Sequence, residues 1–412
     1  MKIPLSSPDI GDLEVEYVSR VLRSNQLSLG PVLTEFEEKF AAYSHTRYAI
    51  ACSSGTAALH MCVQALDLGK EAEVITSSFS FVASVNCLLY EGVLPRLVDI
   101  DPETLNLDAN LIREFLQEKC TRNHRGEMIS KESGRIVKAI LPVHVFGLPA
   151  DMQAITEIAS EYGLAILEDA CEAIGAETRG RRVGTFGNAG VFAFYPNKQM
   201  TTGEGGMVVT DDQGIAERCR SLRNQGRDAD GRWLKHVRLG YNYRLSDIQA
   251  ALGLAQLERI DELLTKRASV AQRYLRLLRP EDSLTLPETP SHAKRSWFVF
   301  VIRTTGPCAE EKRDALRAHL ADAGIASQIY FPPIHDQPYF KELGYSETCA
   351  LPVTESVSKT CLAIPFFTRL SEAQIQLVAT SIREALNPGL SPLLQQSETA
   401  KAFSSPTYSA AD

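Results

Sequence analysis

Several signals that would place a protein in a special class are absent from this 412-residue sequence. Its nine cysteines are scattered without a Cys-x-x-Cys pair, which predicts neither a zinc site nor a disulfide framework. No apolar run approaches the ~18 residues of a membrane span, and the start of the chain lacks the apolar stretch of a signal peptide. The net charge of -8 argues against a polyanion binder. We therefore expect a soluble, cytoplasmic protein that binds no metal, nucleic acid or membrane.

What the sequence does contain is a regular alternation of short apolar runs and helical patterns. This alternation predicts an α/β fold with a mostly parallel sheet. One helix is predicted over 151–163 with Asp151 as its N-cap, and another over 246–264 with a capping box formed by Ser246 and Gln249. The predicted strands are 46–52, 72–77, 94–99, 137–143 and 164–168.

The pattern changes after about residue 265, and the length itself predicts two domains at roughly 100–200 residues each. We predict a large domain over 1–265, with its first ~20 residues packed on the small domain. A smaller α+β domain, with a strand at 297–302, is predicted over 266–388, and a disordered tail over 389–412. The polar segment 119–134 is predicted to be a surface excursion.

The segment SSGTAA at 53–58 follows a predicted strand and opens a helix. Small residues let the backbone approach an anion, and the free N–H groups at a helix start favour a phosphate. Gly55 and Thr56 are the candidate donors. A plain strand-to-helix turn is the alternative interpretation.

The apolar segment 164–169 ends in two carboxylates, Glu168 and Asp169. A buried carboxylate at this position needs a cationic partner. The pyridine nitrogen of pyridoxal phosphate (PLP) is one, because an Asp that keeps it protonated makes the ring an electron sink. A metal ligand and a helix N-cap are the alternatives for Asp169.

Lys198 ends the apolar and aromatic run FAFYPNK at 192–198, and the glycine-dense segment TTGEGGMVV follows at 201–209. A lysine forms a Schiff base with an aldehyde when its amine is partly desolvated, whereas a lysine beside a turn is usually a solvated surface charge. The neighbouring aromatic residues and glycines favour the first interpretation. In GYNYRLS at 240–246, Asn242 and Arg244 either reach an anion or belong to a helix-capping segment.

Together these segments resemble the DegT/StrS-type PLP-dependent sugar aminotransferases, which have the fold type I architecture. The resemblance covers roughly residues 5–385. The matching segments are SSGTAALH (53–60), SSFSFVAS (77–84), LPVHVFGLPADM (141–152), LEDACEAIGA (167–176), VGTFGNAGVFAFYPNKQMTTGEGGMVVT (183–210), LRNQGR (222–227) and LGYNYRLSDIQAALGLAQLERID (239–261).

The resemblance implies a role for individual cofactor-site residues. It makes Lys198 the Schiff-base lysine and Asp169 the partner of the pyridine nitrogen. It places the ring of Phe81 against the cofactor, and it implies that Gly55 and Thr56 bind the phosphate.

The resemblance also implies contacts with a second subunit and with the substrate. Asn242 would reach the phosphate of the neighbouring subunit's cofactor, so the active unit is expected to be a homodimer. His335, in YFPPIH at 330–335, would line the sugar-nucleotide pocket. Tyr330 and Arg244 are further candidate substrate contacts.

Two cofactor-site positions depart from the family pattern. Glu172 stands where the family often has Gln near the ring hydroxyl, and Ala193 stands where many members have a phosphate-binding Ser. The lost hydroxyl removes one hydrogen bond, worth about 1 kcal/mol, and Asn197 is a candidate replacement. Neither change removes Lys198 or Asp169.

The function that the resemblance implies is transamination of a nucleotide-linked keto sugar, with glutamate as donor and with pyridoxamine phosphate formed in the half-reaction. The form TTGEGGM favours amination at C4 of a 4-keto-6-deoxy sugar, in surface polysaccharide or secondary-metabolite biosynthesis. A PLP-dependent dehydratase or lyase on the same fold and a non-catalytic regulatory relative are the alternatives. Lys198 argues against the dehydratase branch, which has histidine there. Glycines 203, 205 and 206 precede a strand pattern, so they are no dinucleotide fingerprint.

Overall fold

The apolar runs of the first part of the chain form adjacent strands of one sheet. The computed structural model describes residues 2–228, 234–279, 281–345 and 349–387. Within these ranges the strands are β1 (Tyr48–Cys52), β2 (Ala72–Ser77), β3 (Leu94–Val98), β4 (Cys120–Arg122), β5 (Met128–Ser130), β6 (Ile136–Ile140), β7 (Ala165–Asp169), β8 (Glu177–Thr178), β9 (Arg181–Arg182), β10 (Ala189–Ala193), β11 (Gly206–Thr210), β12 (Leu284–Thr285), β13 (Ala293–Lys294), β14 (Phe300–Thr304) and β15 (Cys361–Ile364).

The main sheet of the described residues runs in the order β1-β11-β10-β7-β6-β2-β3. The strands β10, β7, β6, β2 and β3 are parallel, and β11 is antiparallel to both of its neighbours. All five of these predicted strands are present, and their ends lie no more than three residues from the predicted ones. The mostly parallel sheet confirms the predicted α/β class, and it brings the carboxyl ends of its parallel strands to one edge.

The helices lie between these strands and beyond them. They are α1 (Asp12–Ser24), α2 (Pro31–Ser44), α3 (Gly55–Ala65), α4 (Ala83–Leu89), α5 (Ala109–Glu118), α6 (Met152–Tyr162), α7 (Gln213–Arg223), α8 (Asp247–Glu258), α9 (Ile260–Leu278), α10 (Ala309–Asp322), α11 (Pro338–Glu342), α12 (Pro352–Thr360) and α13 (Glu372–Leu386). The predicted cap of α6 is confirmed, because Asp151 accepts a hydrogen bond from Ala154 N. The capping box of Ser246 and Gln249 at the start of α8 is confirmed as well.

Two predicted segments differ from the structure in detail. The segment 119–134 lies mostly at the surface, as predicted, but it also forms a hairpin of β4 and β5, which extends the sheet by pairing with β6. Cys120 and Met128 are buried, but each strand has only three residues, too few for a readable alternation. The predicted helix 246–264 is two helices, α8 and α9, separated by the non-helical backbone of Arg259.

The last part of the described chain has its own core. Strands β12, β14 and β15 form an antiparallel sheet, on which α9, α10 and α13 pack. Ile3 is buried in this core, and its N–H donates to Gly324 O. Residues near the N-terminus therefore pack on this part, whereas α1 packs on α8. The division into domains 1–265 and 266–388 stays a prediction, and α9 continues across the boundary; residues 389–412 lie outside the described ranges.

None of the helices described by the structure has both the length and the apolar character that a membrane span requires.

Candidate active site

A cavity of about 630 Å³ lies at the carboxyl edge of the parallel strands. Its wall comes from the ends of β7 and β10, from the start of α3, and from Phe298 and the segment 329–332 of the last part of the chain. Ligands of α/β sheets bind at this edge. Nine of the predicted site residues line the cavity: Gly55, Thr56, Phe81, Asp169, Glu172, Ala193, Asn197, Lys198 and Tyr330.

Lys198 points into this cavity instead of into solvent. Its backbone N–H donates to Tyr195 O at 2.9 Å, which closes the turn after β10. Its side chain is 14% exposed, and Nζ lies 3.8 Å from the ring centroid of Phe298 and 3.6 Å from Glu172 Oε1. The amine is therefore desolvated by an aromatic face, as the Schiff-base interpretation requires.

Asp169 is a buried carboxylate that has no cationic side chain beside it. Its Oδ2 accepts from Ser84 Oγ at 2.7 Å, and its Oδ1 accepts from Cys171 N at 3.1 Å. Within the described ranges, no Lys, Arg or His nitrogen lies within 4.0 Å of Asp169, and no side-chain cluster suited to a metal ion occurs. Turns follow Asp169, so it caps no helix. A buried anion that faces a cavity fits a cationic ring nitrogen of a ligand.

The start of α3 forms a close-packed cradle for an anion. Ser54 caps the helix by accepting from Ala57 N at 3.1 Å, and the N–H groups of Gly55 and Thr56 have no partner within the helix because they precede its first hydrogen-bonded turn. A Cβ on Gly55 would lie 2.7 Å from the Cβ of Ala193 and 3.0 Å from Cys171 Sγ. Glycine at position 55 therefore lets the helix start approach the end of β10. The donors fit the phosphate of PLP.

Glu172 joins the lysine to a neighbouring loop. Its Oε2 accepts from Phe146 N at 2.9 Å, while its Oε1 faces Lys198. Burial raises the pKa of Glu172, and the charge of Lys198 opposes that rise. Asn197 lies beside the lysine, and its buried Oδ1 has no hydrogen-bond partner in the described part of the chain. This amide oxygen is available to a ligand in the cavity.

Three predicted residues do not line the cavity of their own chain. Asn242 is exposed and pairs through its backbone with Asn224. The Nη1 of Arg244 donates to Asn224 Oδ1 and Gln225 Oε1, both at 3.0 Å. His335 is 2% exposed, and its Nδ1 lies 2.7 Å from the hydroxyl of Ser78.

Sequence reasoning missed residues that hold the site together. Ser84 lies in the quoted segment SSFSFVAS, but its bond to Asp169 crosses from α4 to β7. Phe298 falls in the predicted strand 297–302, whereas the observed strand β14 begins at Phe300. Of the residues just before β14, Phe298 and Val299 pack in the core of the large sheet, and no periodicity signals this crossing.

Comparison with known proteins gives a consistent result. The profile of the DegT/DnrJ/EryC1/StrS aminotransferase family matches residues 8–383. A pleiotropic regulatory protein of Geobacillus stearothermophilus is 38% identical over 370 residues, which are 89% of this chain and 92% of that protein. A GDP-perosamine synthase of Caulobacter vibrioides is 35% identical over 387 residues, which are 93% and 98% of the two chains.

Solved structures agree with these relatives. A DegT DnrJ EryC1 StrS aminotransferase from Brucella abortus is 32% identical, with a TM-score of 0.81 over 90% of this chain and 95% of that one. A further solved relative, 28% identical, contains pyridoxamine phosphate. The comparisons confirm the predicted resemblance, the fold type I architecture, the aminotransferase class and the cofactor that the family uses, pyridoxal phosphate.

Proposed function

This chain belongs to the DegT/DnrJ/EryC1/StrS aminotransferase family, and we propose that it transfers an amino group from glutamate to a nucleotide-linked 4-keto-6-deoxy sugar. The observation that carries the proposal is the desolvated amine of Lys198, placed in one cavity with the unpaired carboxylate of Asp169. The relatives named GDP-perosamine synthase, at 35% and 36% identity, support a nucleotide-sugar substrate.

We assign a binding role to four groups of the cavity. Gly55 and Thr56 would hold the phosphate of PLP, Asp169 its ring nitrogen, Phe81 one face of its ring, and Lys198 its aldehyde carbon. When bound, PLP supplies an electron sink that stabilises negative charge on the carbon next to the amino group.

The residues of the chain then perform the proton transfers. Once its amine is free, Lys198 acts as the general base and acid that removes a proton from one carbon and returns it to another. Glu172, 3.6 Å away, stabilises the positive charge of the protonated amine. The ring of Phe298 covers the amine and limits its access to water. Asp169 keeps the ring nitrogen protonated through both half-reactions.

The second subunit of a homodimer would complete this site. Asn242 is exposed outside its own cavity, and the exposed apolar residues Leu234, Val237 and Leu239 precede it in the same segment. An exposed apolar group of this kind is typical of an interface. Sedimentation of the purified protein tests this assembly, and a fully active monomer would contradict it.

A regulatory role without catalysis is the main alternative, because one relative is named a pleiotropic regulatory protein. The side chains of Lys198 and Asp169 count against it, since both lie in the cavity. A dehydratase or lyase is distinguished by its product, because an aminotransferase transfers the amino group of glutamate through pyridoxamine phosphate to the sugar.

The decisive experiment uses borohydride, followed by a substrate screen. Borohydride should fix pyridoxyl mass on the peptide that contains Lys198 in the native holoenzyme, and Lys198→Ala should abolish both this mass and transamination. Nucleotide-linked keto sugars are then offered with glutamate, and the product is identified by its mass. Pyridoxyl mass on another lysine, or turnover that survives in Lys198→Ala, would refute the assignment.

A further inference from the structure

Arg267, in α9, is a buried cation that has no carboxylate partner among the residues that the structure describes. It is 3% exposed, and no carboxylate of the described ranges lies within 4.0 Å of its guanidinium. Burial lowers the pKa of Arg267 to about 10, so it is still charged at neutral pH. A buried arginine is normally paired with an acid. Its charge must therefore be stabilised by other polar groups.

Those groups are backbone carbonyls of residues that line the active-site cavity. Arg267 Nη2 donates to Lys198 O at 2.8 Å and, at the longer distance of 3.5 Å, to Asn197 O. Its Nη1 donates to Phe298 O at 3.1 Å. The planar guanidinium thus bridges two segments that are far apart in sequence, a geometry that its fixed fork of donors permits.

Each of these two segments supplies one partner of a contact inside the cavity. Nζ of Lys198 lies 3.8 Å from the ring centroid of Phe298, and both residues line the cavity. Because one rigid group holds the carbonyl oxygens of both residues, it fixes the spacing between the lysine turn and the aromatic ring. The helix that carries Arg267 also packs in the second core, where Val270 and Tyr274 are buried. It therefore connects that core with the lysine.

We propose that Arg267 is a positioning residue for Lys198: it holds the reactive amine against the face of Phe298 through the backbone of both residues. This inference rests on the proposed function, in which Lys198 binds the cofactor and transfers protons. A shift of the amine by about 1 Å is sufficient to lower a rate roughly 100-fold.

Three variants separate positioning from general stabilisation. Arg267→Met removes the charge and all of the donors. Arg267→Lys keeps the charge, but a single ammonium group cannot span both segments as the guanidinium does. Arg313→Met is the matched control, because Arg313 is also buried but pairs with Asp314 and Glu310 in α10, and none of these residues lines the cavity.

The readouts are pyridoxyl mass fixed on the Lys198 peptide by borohydride at limiting PLP, and the maximal rate at which glutamate changes the absorbance of the bound cofactor. We expect Arg267→Met to lower the maximal rate roughly 10- to 100-fold, with a smaller change in the half-saturating glutamate concentration. It should also reduce the pyridoxyl mass fixed on the Lys198 peptide, which is called capture below. Arg267→Lys should lie between Met and the wild type. Arg313→Met should capture PLP and react like the wild type, even if its melting temperature falls.

Normal capture and rate in Arg267→Met would overturn the inference, and so would equal losses in Arg267→Met and Arg313→Met. If Arg267→Met does not fold, Arg267→Lys decides, because it keeps the buried charge and must still show the reduced capture. Absence of capture in the wild type would instead refute the proposed function.

Discussion

The end of β7 carries two adjacent buried carboxylates whose surroundings are opposite. Glu168 is fully buried, and it accepts three backbone N–H groups of the loop 184–187 at 2.6, 2.7 and 2.9 Å. Its fourth contact is His144 Nε2 at 3.1 Å. Nδ1 of that ring accepts from Ala150 N, so Nε2 carries the proton that Glu168 accepts.

Asp169 follows on the other face of the strand and lines the cavity. It accepts one hydrogen bond from a serine hydroxyl and one from a backbone N–H group. The hydrogen bonds of Glu168 are satisfied within the protein, whereas Asp169 retains capacity for a partner that arrives with the ligand. The comparison shows how a strand end separates two environments: the first carboxylate anchors the loop, and the second stays open to a ligand in the cavity, as the proposed function requires. Burial alone does not distinguish them; the number of internal donors does.

The largest expected effect comes from Asp169→Asn. The amide has nearly the same shape but no negative charge, so it cannot keep a ring nitrogen protonated. We expect turnover to fall roughly 100- to 1000-fold, as for other lost electrostatic contacts in active sites. The free energy of unfolding of the cofactor-free protein should change little, which guanidinium unfolding measures. A near-normal rate would remove the functional half of the comparison.

Glu168→Gln tests the anchoring half. Its new NH₂ group would face N–H donors of the loop 184–187, which then lack an acceptor. We expect a loss of about 3 kcal/mol in the free energy of unfolding, while turnover per folded molecule stays close to that of the wild type. Guanidinium unfolding and an active-site titration give the two quantities. Unchanged stability together with a collapsed rate would reverse the assignment of the two carboxylates.

The sequence predicted the side of the site that the main sheet forms better than the side that faces it. Asp169 and Ala193 end neighbouring parallel strands, so they meet at one edge wherever such a sheet forms. Lys198 and Gly55 lie within a few residues of strand ends, and their placement follows from the same topology.

The other side of the site is formed by Phe298 and residues 329–332, and its position depends on contacts between distant segments. Phe298 falls in the predicted apolar strand 297–302, and no sequence pattern assigns a role to Arg267. The contact between them brings together residues 31 positions apart in the sequence. The same limit applies to Asn242, whose predicted role needs a second chain.

The smallest expected effect is the change in stability caused by Glu172→Gln. This variant tests whether a third buried carboxylate resembles Glu168 or Asp169. Glu172 has one backbone donor, Phe146 N, and one cation, Lys198. Burial raises its pKa above the ordinary value of 4.5, although Lys198 opposes this. Between the unfolded and the folded pKa, Glu172 therefore retains in the folded protein a proton that it has already lost in the unfolded chain. The stability that this proton provides is fully present below the unfolded pKa and disappears as the pH rises through the folded pKa.

Glutamine at position 172 cannot ionise, so the variant lacks this dependence. The free energy of unfolding of the cofactor-free wild type, minus that of Glu172→Gln, should fall as the pH rises from about 4 to about 8. Guanidinium unfolding at a series of pH values measures the difference. If the difference stays constant or rises, Lys198 compensates the buried carboxylate fully, and Glu172 belongs with the satisfied Glu168. A falling difference instead means that Lys198 does not fully offset the burial of this carboxylate.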